Sequence, residues 1–135
     1  MLALHFKRHS LSRLLLSLPG LDTSIRNEVN NTALQKACYK KAPLDIVTTL
    51  ARLSTLETIN MKNNYGDTAL MTSLSGFNST CLVVATRNSI SRMLLSVPGL
   101  DTNTSNKDSC TALHKWPASI TPRWTFWSLW SDLRS

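Results

Sequence analysis

Asn63-Asn64-Tyr65-Gly66-Asp67-Thr68-Ala69-Leu70 is a turn running straight into a helix start. Asn, Gly and Asp supply the turn, and Gly66 offers the positive φ that such turns often need. The hydroxyl of Thr68 can take a free backbone N–H at the first turn of a helix. The last three residues recur at Thr32-Ala33-Leu34 and Thr111-Ala112-Leu113, so the seam is repeated along the chain.

The intervals are 36 residues from Thr32 to Thr68 and 43 from Thr68 to Thr111, together 79. The same 79 separates Ser10-Leu11-Ser12-Arg13-Leu14-Leu15-Leu16-Ser17-Leu18-Pro19-Gly20-Leu21-Asp22-Thr23 from Ser89-Ile90-Ser91-Arg92-Met93-Leu94-Leu95-Ser96-Val97-Pro98-Gly99-Leu100-Asp101-Thr102. It also separates Pro43 from Pro122. Self-similarity at such intervals marks stacked supersecondary units.

One unit reads as follows. Thr32 caps a helix of about eight residues whose Leu34, Ala37 and Cys38 form one apolar stripe. Lys40-Lys41-Ala42-Pro43 ends it, because proline cannot continue a helix. A second helix starts near Pro43 and carries a broader apolar face of Leu44, Ile46, Val47, Leu50 and Leu53. Glu57-Thr58-Ile59-Asn60-Met61-Lys62 is expected to run extended into the next turn. Neither helix can bury its stripe alone; stacked pairs make one core.

The pattern resembles the ankyrin repeat. The finger and first helix are echoed by Ile59-Asn60-Met61-Lys62-Asn63-Asn64-Tyr65-Gly66-Asp67-Thr68-Ala69-Leu70, the second helix by Leu44-Asp45-Ile46-Val47-Thr48-Thr49-Leu50. Thr111-Ala112-Leu113-His114 is similar to the family's Thr-Pro-Leu-His. The resemblance implies an all-α, ankyrin-like solenoid of helix–turn–helix units joined by β-turn fingers. It covers residues 10–115, and 116–135 by register alone.

The expected division of the single domain, 1–135, is a half repeat at 10–30, repeats at 31–66 and 67–109, and a degenerate terminal repeat at 110–135. Alanine replaces the family's proline in all three triplets. Gln35 and Met71 stand where histidine is usual, which predicts that two units lack the finger-base hydrogen bond. About seven extra residues fall in 76–86, as an added helical turn or as a bulged loop.

The resemblance implies a non-catalytic module that binds a protein through finger tips and the inner faces of first helices. In this register the contact positions are Glu28, Val29, Asn31, Tyr39 and Lys40, then Asn64, Tyr65, Asp67 and Ser75, then Lys107, Asp108 and Cys110. Tyr39 and Tyr65 lead, since tyrosine recurs at binding hot spots.

Composition narrows the alternatives. The 135 residues are 42% hydrophobic and 17% charged, a globular balance. Fifteen Lys and Arg against eight Asp and Glu give a net charge of +7, scattered along the chain rather than set in a stripe with aromatics. Cys38, Cys81 and Cys110 are odd in number and widely spaced, which suggests reduced thiols in a cytoplasmic or nuclear setting. With His5, His9 and His114 they offer no zinc spacing. Cys110 and His114 are four apart, without a third orienting group. No phosphate-binding glycine loop or nucleophile elbow occurs, so no enzyme, cofactor, metal or small-molecule substrate is expected.

Trp116, Trp124, Trp127 and Trp130 all lie in 116–135. Phe126, Leu129, Trp130 and Leu133 fall on one helical stripe, in register with Val47, Leu50, Ala51 and Ser54, so the tail reads as the last second helix. An interfacial reading also suits Trp beside Arg, making a basic membrane-surface or nucleic-acid-associating protein the alternative function. A piece of a longer array is a further one. Met1 to Pro19 holds Arg, Lys, Ser and Leu and no acid, which also suits mitochondrial targeting; because 10–23 recur mid-chain and read as structure, that role is left to residues 1–9. No apolar run approaches the ~20 residues that cross a bilayer.

Overall fold

The caps predicted from the sequence form. In the computed structural model, residues 8–74 and 89–112 are described, and every regular element among them is helical. The elements are α1 (His9–Leu16), α2 (Ala33–Tyr39), α3 (Leu44–Leu53), α4 (Leu56–Ile59), α5 (Ala69–Leu74) and α6, helical over 89–95. No described helix is long and apolar enough to cross a membrane. The extra residues of 76–86, His114 and the tryptophan-rich tail lie outside the described residues.

Thr32 caps α2 with its extended backbone, its side chain accepting from the Gln35 amide at 3.3 Å. The Gln35 side chain returns the bond to the Thr32 amide at 2.8 Å, closing a capping box. Thr68 does the same work for α5, accepting from the Met71 amide at 3.4 Å. The predicted stripe of α2 is right: Leu34, Ala37 and Cys38 are all buried. Burial pushes the Cys38 thiol up to about 12, against the opposing charge of Lys41, so it sits there as a small hydrophobe.

α2 ends at Tyr39, and Lys41 takes a left-handed conformation (φ 55°) that turns the chain into α3. The Lys41 ammonium donates to the carbonyls of Cys38 (3.1 Å), Thr72 (3.4 Å) and Ser73 (2.7 Å). It thereby satisfies C-terminal carbonyls of both α2 and α5, where a positive charge also suits the helix dipole.

The predicted face of α3 needs correcting at both ends. Ile46, Val47, Leu50 and Ala51 are buried, whereas Leu44 and Leu53 are exposed. A ten-residue helix turns through nearly three turns, and positions 44 and 53 fall to either side of the stripe that 46, 47, 50 and 51 define. The expected extended stretch 57–62 is also corrected. Its first half is α4, because the Thr55 hydroxyl caps the Thr58 amide at 3.2 Å and one turn of helix buries Thr58 and Ile59.

α2 packs against α3 and α5, and α1 against α3. One buried cluster runs from Leu34 through Ile46, Leu50, Ile59, Leu70 and Leu74 to Ile90, Leu94 and Ala112. α1 stands at the edge of this cluster. Leu11 is 41% exposed and Leu15 39%, while their counterparts in the second copy, Ile90 and Leu94, are both at 0%. Nearly the same sequence is a core helix in one place and a surface helix in the other.

Candidate functional site

The turns that precede α2 and α5, and the one before Thr111, have one construction. An asparagine opens each: Asn27, Asn63 and Asn106, spaced like the threonine triplets. The Asn27 side-chain oxygen accepts from the amides of Val29 (3.1 Å) and Asn31 (2.9 Å). Asn63 accepts from Tyr65 (2.9 Å) and Asp67 (3.0 Å), and Asn106 from Asp108 (3.0 Å) and Cys110 (2.9 Å). Three residues after each asparagine the backbone is left-handed, at Asn30 (φ 60°), Gly66 (φ 78°) and Ser109 (φ 59°). The amides of Asn27, Asn63 and Asn106 then close onto the carbonyls of Asn31, Asp67 and Cys110.

Three sets of bonds join each turn to the next. The Asn64 amide donates to the Val29 carbonyl at 3.0 Å, and the Lys107 amide to the Tyr65 carbonyl at 3.1 Å. The Asn63 side-chain amide donates to the Asn31 side chain at 2.9 Å, and that of Asn106 to Asp67 at 2.9 Å. Arg26 reaches the Lys62 carbonyl at 3.5 Å and Lys62 the Ser105 carbonyl at 2.9 Å. Part of the basic surplus thus ties turns together.

Gln35 corrects another expectation. Its side-chain nitrogen donates to the Met61 carbonyl (2.8 Å) and the Asp67 carbonyl (3.0 Å), linking the base of the first turn's helix to the second turn. Glutamine supplies a turn-base bond of the kind its replacement of histidine was expected to remove.

Between the first two turns and the adjoining faces of α2 and α5 lies an open cleft of about 360 Å³. Five of the predicted contact residues line it: Val29, Asn31, Tyr39, Tyr65 and Asp67. Lys36, Asn63 and Thr72 complete it. Asn31 and Asp67 are buried on its floor and engaged in the bonds between turns. Tyr39 and Tyr65 stand at its rim, 56% and 61% exposed. Lys36 and Lys40 hold their ammonium groups 6.0 and 5.8 Å from the centre of the Tyr39 ring, within range of cation–π attraction.

The other predicted contact residues are elsewhere. Glu28 and Asn64 are exposed at the turn tips, where the Asn64 side chain bonds that of Asn30 at 2.7 Å. Lys107 and Asp108 are exposed on the third turn and Cys110 half-buried beside it. Ser75 lies outside the described residues. Sequence reasoning missed Lys36, although its place three residues before Tyr39 puts both on one helix face.

A second cavity of about 210 Å³ lies under α1, walled by Leu15, Leu21, Ile25, Ile46 and Leu50. Thr23 lines it where the next unit has the buried Ile59, a smaller side chain leaving more space. Among the described residues no three His, Cys, Asp or Glu side chains are grouped to hold a metal ion.

The chain matches no protein-family model and no curated protein.

Proposed function

We propose that the chain is an ankyrin-like solenoid, with repeats at 31–66 and 67–109 and a terminal one at 110–135, that serves as a non-catalytic protein-binding module. The observation that carries this reading is the pair of exposed tyrosines set over one cleft between two interlocked turns. Buried polar groups hold the cleft floor in place, so a partner meets a surface that is already shaped and loses little freedom on docking. Large aromatic side chains at the rim supply contact area of the kind that dominates interface energetics.

The proposed contact surface comprises the cleft and the turn tips, with Val29, Asn31 and Tyr39 on one side and Asn64, Tyr65 and Asp67 on the other, and Lys40 beside the Tyr39 ring. Glu28, Lys107, Asp108 and Cys110 extend it along the row of turns. In this reading the chain needs no cofactor, and an intracellular setting suits its thiols.

The test is affinity capture from the native source with the intact chain and with the double variant Tyr39→Glu, Tyr65→Glu. Proteins retained by the first and lost by the second are the expected result, with both chains giving the same helical circular dichroism. Retention of every captured protein by the variant removes this cleft as the site.

A further inference from the structure

Building on the protein-binding reading, we infer that the cleft takes an acidic peptide segment, one carrying a carboxylate side chain close to an apolar or aromatic one.

The apolar half of the argument is the cleft wall. Tyr39 and Tyr65 face the opening with most of their surface bare, and Val29 lines the cleft with them. An apolar side chain placed there covers ring surface that water now covers.

The charged half is on α2 and the residue that follows it. Lys36 and Lys40 both hold their ammonium groups near the Tyr39 ring, and neither has a carboxylate within ion-pair distance among the described residues. Their neighbour Lys41 is committed to the helix-end carbonyls. Two positive charges one helical turn apart, both close to one aromatic ring and neither ion-paired among the described residues, match a carboxylate whose neighbouring side chain lies on the ring.

Charge also distinguishes a peptide from a nucleic acid, which lysines and tyrosines together would otherwise suit. Asp67 lies in the cleft, and Glu28 and Asp108 are exposed on the turns beside it. A continuous phosphate backbone running along the row of turns would meet these carboxylates. A peptide can set its acid over Lys36 and Lys40 and leave neutral residues elsewhere.

The experiment pans the full chain against a displayed library of random twelve-residue peptides. Fluorescence anisotropy then measures the selected peptides on the intact chain, on Lys36→Glu with Lys40→Glu, and on Tyr65→Ala. A labelled single-stranded oligothymidine serves as the nucleic-acid probe.

The expected result is enrichment of Asp or Glu next to an apolar residue. Binding should weaken at least tenfold in the lysine double variant, fall with added salt, and partly return when the peptide's acids are changed to lysine. Selected peptides that are neutral or basic, lose binding in Tyr65→Ala and ignore the lysine reversal would overturn the acidic assignment while leaving the cleft as the binding site. Selected peptides indifferent to both variants would overturn the cleft itself. Tighter binding of the oligothymidine than of any selected peptide would also overturn the inference.

Discussion

At Gly66 two constraints meet. The backbone is left-handed (φ 78°), and a Cβ built there would lie 2.9 Å from the Lys107 nitrogen and 3.0 Å from the Asn106 Cα. Both are backbone atoms of the next turn, which cannot swing aside as a side-chain tip could. Gly20 has a similar φ of 76° with nothing within 4 Å. Gly20→Ala should therefore cost about 1 kcal/mol for the conformation alone, and Gly66→Ala about 2–3 kcal/mol, because the turns must also move apart. Urea unfolding of the two variants checks the difference. Equal losses would mean that the turns yield freely.

The Arg13–Asp45 pair joins α1 to α3 through Nε at 2.7 Å and Nη2 at 3.2 Å. The bond from Arg13 holds the Asp45 carboxyl below its ordinary value of 3.8, with the positive charge of Arg13 adding to it. A carboxyl with a lowered folded-state value gives up its stabilisation only on acidification. The contribution is complete above the ordinary value and disappears as pH falls through the lower, folded one. Thermal unfolding followed from about pH 5 down to about pH 2 should lose less stability in Arg13→Gln than in the intact chain. Since both side chains are largely exposed, the difference should be small. A larger acid loss in the variant would contradict the assignment.

The same elements show how much could be read in advance. Thr32 and Thr68 are caps because a hydroxyl ahead of an apolar run has one economical use, and the stripe of α2 follows from spacing alone. α4 was not legible. Thr55 and Thr58 suit a strand as readily as a one-turn helix, and only burial of Ile59 against the core decides between them. Likewise Leu44 and Leu53 look like core until the neighbours of α3 are in place. Tyr39 and Tyr65 could be placed on the surface from the register, but the cleft between them could not. It depends on the Asn63–Asn31 and Asn106–Asp67 bonds, which pair residues more than thirty positions apart.

Across the molecule, burial decides what a given residue is worth. Leu11 and Ile90 occupy the same place in two copies of one sequence, one exposed and the other in the core. Ile90→Ala should cost about 3 kcal/mol, through lost transfer energy and the void left behind. Leu11→Ala should cost under about 1 kcal/mol. Chemical unfolding of the two variants measures both, and similar losses would show that the face of α1 is covered in solution.

The three-carbonyl grip of Lys41 has a consequence for the cleft's chemistry. With that amine withdrawn, the basicity beside the Tyr39 ring resides in two side chains, at positions 36 and 40. An acyl group placed on either would halve it without disturbing the corner where the helices end.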